Sequence, residues 1–243
     1  MINTHTKLLT RSGVYMSFYV LCIPFFIISA IHIITCFFPM NRLSKVTKVL
    51  AMPLLALAVI FTQGAYNKLY LASALIAGCL GDYFLLRPVT KKKFLRGVFA
   101  FFIGHAFYLL ILVPLSRFWL LPSWCVLIIV LVYSFTVFGI YNMLHKPKGL
   151  RGFAAVVYAF MLLLINFTCI SAVLAELFNT GSFESVSPAT WTILVGNFLF
   201  LISDSLLSIT MFKDDFKFSR VYVMTTYLAA QFFLVLGLIQ QAV

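Results

Sequence analysis

Charge is the scarcest commodity in this chain. Only 10% of the 243 residues are charged, and only six of those are acidic. A water-soluble domain usually carries about 25% charged residues, so there is too little polar surface here to cover a water-facing fold. That shortage excludes a secreted domain, a cytosolic enzyme and a nucleic-acid binder. The five cysteines include no CxxC pair, and all sit in or beside apolar runs. An odd number placed this way excludes a disulfide framework and a thiolate metal site, leaving small packing residues. There is also no glycine-rich phosphate loop and no GxSxG.

Apolar length is what the chain has. Hydrophobic residues make up 63% of it, with mean hydropathy +1.07. A helical span takes about 20 apolar residues, so there is room for seven or eight spans and no sizeable soluble domain. The expected fold is an all-α integral membrane protein, one transmembrane domain over 1–243, of about eight helices. Approximate limits are 14–38, 46–63, 69–86, 97–116, 119–141, 152–175, 189–212 and 220–240. The second is the least regular, with Lys48 inside it and Pro53 expected to kink it. None of the segments alternates polar and apolar residues as barrel strands would.

Basic residues orient the bundle. The loops after the first, third, fifth and seventh helices carry 14 of the 18 Lys and Arg residues, and the remaining four are Lys7, Arg11, Lys68 and Arg117. By the positive-inside rule those odd-numbered loops are cytoplasmic and both termini lie outside. The net charge of +12 then reflects cationic loops facing anionic headgroups. A compact chain without a targeting extension is expected in a bacterial inner membrane.

Two of the six acids, Asp82 and Asp204, lie within apolar helices. A carboxylate at mid-membrane costs about 2.5–3.5 kcal/mol on insertion scales, which makes such a residue a functional candidate. Asp204 stands nine residues before Lys213, and His105 nine residues after Arg96. At a rise of about 1.5 Å per residue both lie roughly 13 Å from the inner rim, with Asp82 about 7 Å from it. Gly78, Gly81 and Asp82 share a helix face. So do Asn197 and Asp204, His105 and Tyr108, and Tyr227 and Gln231. Four polar clusters at similar depth point to a cavity. A weak repeat supports this: GCLGDYFLL around Asp82 matches LFLISDSLLS around Asp204, half the chain later, as a parallel 4+4 repeat would.

The blocks CLGDYFLL, FLRGVFAFFIGHAFYLL, VGNFLFLISDSLLSI and TTYLAAQFFLVLGL, in this order, resemble the signature blocks of the YhhN-type lysoplasmalogenase family. Weaker likeness occurs at TKVLAMP (Lys48) and VVYAFML (Tyr158). One departure is the absence of a proline directly after Lys48. The resemblance implies an eight-helix membrane enzyme that cleaves the vinyl-ether bond of lysoplasmalogens. The products would be a fatty aldehyde and a glycerophospho-ethanolamine or -choline. Asp82 and Asp204 match the family's paired acids, and His105, Tyr227 and Gln231 match its other motif positions.

Vinyl-ether hydrolysis needs a proton donor for the alkene carbon and a carboxylate that stabilises the cation and activates water. Asp204 is the expected acid and Asp82 the expected base. Asn197, His105, Tyr108, Tyr227, Gln231 and Lys48 are the candidates for orienting substrate and water. Lys91 to Lys93 could attract the phosphate. Neither a metal nor an organic cofactor is required. The expected partners are a lysophospholipid substrate and membrane lipids. The competing class is a proton-coupled transporter or lipid-binding protein using the same cavity.

Overall fold

The computed structural model describes residues 17–63, 67–143, 149–213 and 215–242. The start of the first expected span, Lys7, Arg11, Lys146, Lys148 and Asp214 lie outside them. The described residues form no strand. Among the described residues the longer helices, all at expected positions, are α1 (Ile23–Cys36), α2 (Arg42–Phe61), α3 (Lys68–Phe84), α4 (Lys91–Ser116), α5 (Ser123–Met143), α6 (Gly149–Thr180), α7 (Pro188–Phe212) and α8 (Ser219–Ala242). Five of these, α2, α4, α6, α7 and α8, are long and apolar enough to cross a membrane. The 14 residues of α1 and the 17 of α3 are shorter than a full span. A helical stretch at 17–21 leads into α1.

Local chemistry sets the ends. Asn41 caps α2 by accepting from the Ser44 amide at 2.8 Å, so the helix begins four residues earlier than expected. It then runs unbroken through Pro53. Thr90 caps α4 through the Lys93 amide at 3.3 Å, which carries that helix well before its expected start. Gly181, with φ of 73°, lies just past the end of α6, where the left-handed region suits glycine.

Consecutive helices pack on one another from α1 to α4 and from α5 to α8, and α4 packs on α6. Helix α8 lies against α7, α1 and α2, and is the most enclosed of the five long apolar helices. Helix α5 sits on the outside, with Leu127, Ile128, Leu131, Phe135 and Phe138 all exposed. An apolar exterior of this kind suits lipid as solvent. Two crossings are very close. A Cβ on Gly196 would stand 2.6 Å from the Leu234 amide nitrogen, and one on Gly104 would stand 3.0 Å from the Ala74 carbonyl. The α7–α8 and α3–α4 pairs thus approach backbone to backbone, four helices apart, and α3 and α7 are the helices that carry the sequence repeat.

Each end of the bundle is tied by a polar residue. At the end bearing the even-numbered connections, Glu176 accepts from the Ser187 amide at 2.7 Å and the Thr190 hydroxyl at 2.6 Å, capping α7 from α6. At the other end, Arg220 donates to the Phe38 carbonyl at 2.9 Å and to Ser44 Oγ at 2.7 Å, joining α8 to the start of α2.

Candidate functional site

Asp82 is 3% exposed on the last turn of α3, and Asp204 is 7% exposed in α7. Both carboxylates are buried, but their partners differ. Lys48 of α2 brings Nζ to 3.3 Å from Asp82 Oδ1. Asp82 Oδ2 is buried without a hydrogen bond. The Tyr227 hydroxyl comes up beside Asp82 without reaching hydrogen-bond geometry, and it too is unpartnered. It stands against Gly78, whose missing side chain leaves room: a Cβ there would be 3.2 Å from the hydroxyl oxygen.

Among the described residues, Asp204 has no cation partner. Its Oδ2 accepts from the Tyr158 hydroxyl of α6 at 2.5 Å. Aromatic rings pack around Tyr227: Phe101 stands edge-on to it at 6.2 Å, and Phe200 does so at 5.7 Å. His105 is wedged edge-on between Phe200 and Tyr158, at 4.7 and 5.4 Å. Its Nδ1–H donates to the Phe101 carbonyl at 2.7 Å, which leaves Nε2 as the acceptor nitrogen of the neutral ring. Tyr108 donates to Gln231 Oε1 at 2.6 Å, joining α4 to α8. Asn197 is buried with its Nδ2 unpartnered.

Asp204 and Tyr158 lie on the wall of a cavity of about 170 Å³ between α4, α5, α6 and α7. The remaining wall is chiefly apolar, including Phe94, Val98, Leu162 and Leu207. A smaller cavity of about 70 Å³ reaches Lys48 from the odd-loop end, bordered by Ser44, Arg87 and Arg220. It shares Leu85, Leu207 and Met211 with the first. It also shares Arg87, Met40 and Thr210 with an open vestibule of about 590 Å³. The result is an apolar chamber with Asp204 on its wall and a cationic mouth that reaches Lys48, the partner of Asp82.

A model of the YhhN family matches residues 43–238. The chain belongs to the YhhN family. No curated protein matches it, and no solved structure does either. The YhhN match runs from the first turn of α2 to the last part of α8, and so takes in every helix that contributes a side chain to the site.

Within this YhhN chain, seven of the eight residues singled out in the sequence bear on the cluster directly or through one neighbour: Asp82, Asp204, His105, Tyr108, Tyr227, Gln231 and Lys48. Asn197 shares their burial without a partner. Lys48 pairs with Asp82 although the expected proline after it is missing. Tyr158 was not among the eight; its only signal was the VVYAFML likeness. Lys91 to Lys93 are exposed and line none of the three cavities. The cations at the mouth are instead Lys45, Lys48, Arg87 and Arg220. In the sequence Lys45, Arg87 and Arg220 counted only towards orientation, whereas Lys48 was also a candidate for orienting substrate and water.

Proposed function

We propose that this YhhN-family protein is a membrane hydrolase that cleaves the vinyl-ether bond of lysoplasmalogens. The observation that carries the reading is the pair of buried aspartates with unlike partners, one on an apolar chamber and the other beside a cation. A lysoplasmalogen has the matching asymmetry: an alkenyl chain, a vinyl ether and a charged headgroup. The alkenyl chain would lie in the apolar chamber and the headgroup towards the mouth.

Asp204, buried on an apolar wall and without a cation partner among the described residues, is suited to hold a proton and deliver it to the alkene carbon. This leaves an oxocarbenium ion. Asp82, paired with Lys48, is suited to remain a carboxylate that stabilises the cation and takes a proton from the attacking water. The resulting hemiacetal collapses to a fatty aldehyde and the glycerophospho-alcohol. Tyr158 would orient Asp204, while Tyr227 and His105 Nε2 offer polar atoms to water or to the ether oxygen.

The alternative is a proton-coupled carrier, in which substrate sites commonly sit on unwound helix segments. Helices α4, α7 and α8 run unbroken through the polar cluster, and α3 is unbroken as far as its last turn at Asp82, which favours the enzyme.

The test is aldehyde release by purified protein in detergent, from a lysoplasmalogen and from its ester-linked analogue. Aldehyde from the vinyl ether alone, lost in folded Asp82→Asn and Asp204→Asn variants, is the expected result. A well-folded wild type that releases none would overturn the assignment and bring the carrier forward.

A further inference from the structure

The small cavity at the odd-loop end has a composition that the acid pair does not explain. Three cationic side chains, Lys48, Arg87 and Arg220, border it together with the hydroxyl-bearing Ser44 and Ser219. Lys48 is matched by Asp82 and Arg87 by Asp215, the latter at 2.9 Å. Among the described residues, no carboxylate pairs with Arg220 or with Lys45 of the adjoining vestibule. The guanidinium of Arg220 spends two donors on Phe38 and Ser44, and three of its five N–H groups remain. It is held in place by those two bonds, so its free edge is already oriented.

Backbone adds to the same field. Ser44 lies in the first turn of α2, while Ser219 and Arg220 open α8. Two helix N-termini therefore converge at one small cavity with three cations, an arrangement that favours an anion. The cavity shares wall residues on one side with the open vestibule and on the other with the chamber at Asp204. An anion held here would leave an attached chain free to reach the apolar chamber.

We infer that the cavity between Arg220, Lys48 and Arg87 binds the phosphodiester of a lysophospholipid and sets the distance from headgroup to acid pair. The identity of the occupant rests on the function proposed above; the anion site itself rests on the cavity and its cations. Arg220 is the principal contact, with a planar fork suited to two phosphate oxygens. Arg87 is the outer one.

The test is equilibrium binding of two radiolabelled lipids to purified protein in detergent, neither of which has a vinyl ether to hydrolyse. One is a 1-O-alkyl lysophosphocholine and the other the matching 1-O-alkyl glycerol. Wild type is expected to bind the phospholipid at least about tenfold more tightly. Arg220→Gln should abolish that preference while leaving alkyl-glycerol binding unchanged, and Arg220→Lys should keep part of it. Because Arg220 also joins two helices, Arg87→Gln serves as the variant safest for folding; it should reduce the preference without changing the elution profile. Equal binding of both lipids by wild type, or a preference untouched by both glutamine variants, overturns the proposal. Arg220-dependent binding of inorganic phosphate with no preference between the lipids makes this a free-phosphate site and overturns the lipid assignment. A preserved preference in a protein that releases no aldehyde would leave the phosphate site standing and sink the hydrolase alone.

Discussion

Lys48 and Asp82 form an ion pair at 3.3 Å between α2 and α3, with the lysine side chain 16% exposed and the aspartate 4%. Neither would be comfortable in that setting alone. Removing one partner of a buried pair strands the other's charge at a cost of about 3–5 kcal/mol. Lys48→Met should therefore lower the unfolding temperature in detergent markedly. The double variant Lys48→Met with Asp82→Asn should recover most of the loss, while remaining inactive. A double variant no more stable than the single one would show that the pair does not hold these helices.

Tyr158 donates to Asp204 across the α6–α7 contact at 2.5 Å. Hydrogen bonds to charged or proton-sharing groups are worth about 1.5–3 kcal/mol. Tyr158→Phe should reduce kcat for aldehyde release by roughly 10–100-fold, the same energy read as a rate. KM should change little, since the ring and its packing remain. An effect confined to KM would make Tyr158 a lipid contact and remove it from the chemistry.

The closest helix crossing lies at Gly196, where a Cβ would meet the backbone of Leu234 at 2.6 Å. Backbone cannot move aside as a flexible side chain would. Gly196→Ala should force α7 from α8 and cost about 1–3 kcal/mol, with activity lost because Asp204 and Tyr227 ride on those two helices. Gly139 on peripheral α5 has nothing within 4 Å of such a Cβ. Gly139→Ala should be neutral or slightly stabilising. Thermal unfolding of the two variants side by side is the check.

Outside the spans, Asp215 accepts from the Ser219 hydroxyl and pairs with Arg87, and these hold its carboxyl below the usual carboxylate range, Ser219 contributing most. A depressed folded-state value means stability that is present above the unfolded value, about 3.9, and lost as pH falls through the folded one. Wild type should be more stable than Asp215→Asn near neutral pH, and the difference should vanish as pH drops below about 4. A difference that persists at low pH would assign the effect to packing.

The repeat, the blocks of glycine and acid, and the helix order are all legible in the linear chain. Asp82 and Asp204 stand out because a carboxylate in an apolar run is conspicuous wherever the helix ends up. Tyr158 does not stand out, since one tyrosine among 11 in an aromatic-rich chain signals nothing until its rotation about α6 is known. Arg220 is similar: as a number in a charge count it orients a loop, and as a guanidinium between Phe38 and Ser44 it borders a cavity.

What the sequence alone determined is therefore the solvent and the secondary structure. Transfer of apolar residues into lipid is nearly additive along a segment, and in hydrocarbon every backbone group must find its bond within its own helix. What only the tertiary structure decided is the pairing: Lys48 with Asp82, Tyr158 with Asp204 across 46 residues, and apolar chamber with cationic mouth. Those depend on crossing angle and helix rotation, set by close contacts such as Gly196 on Leu234, and no local property of the chain encodes them.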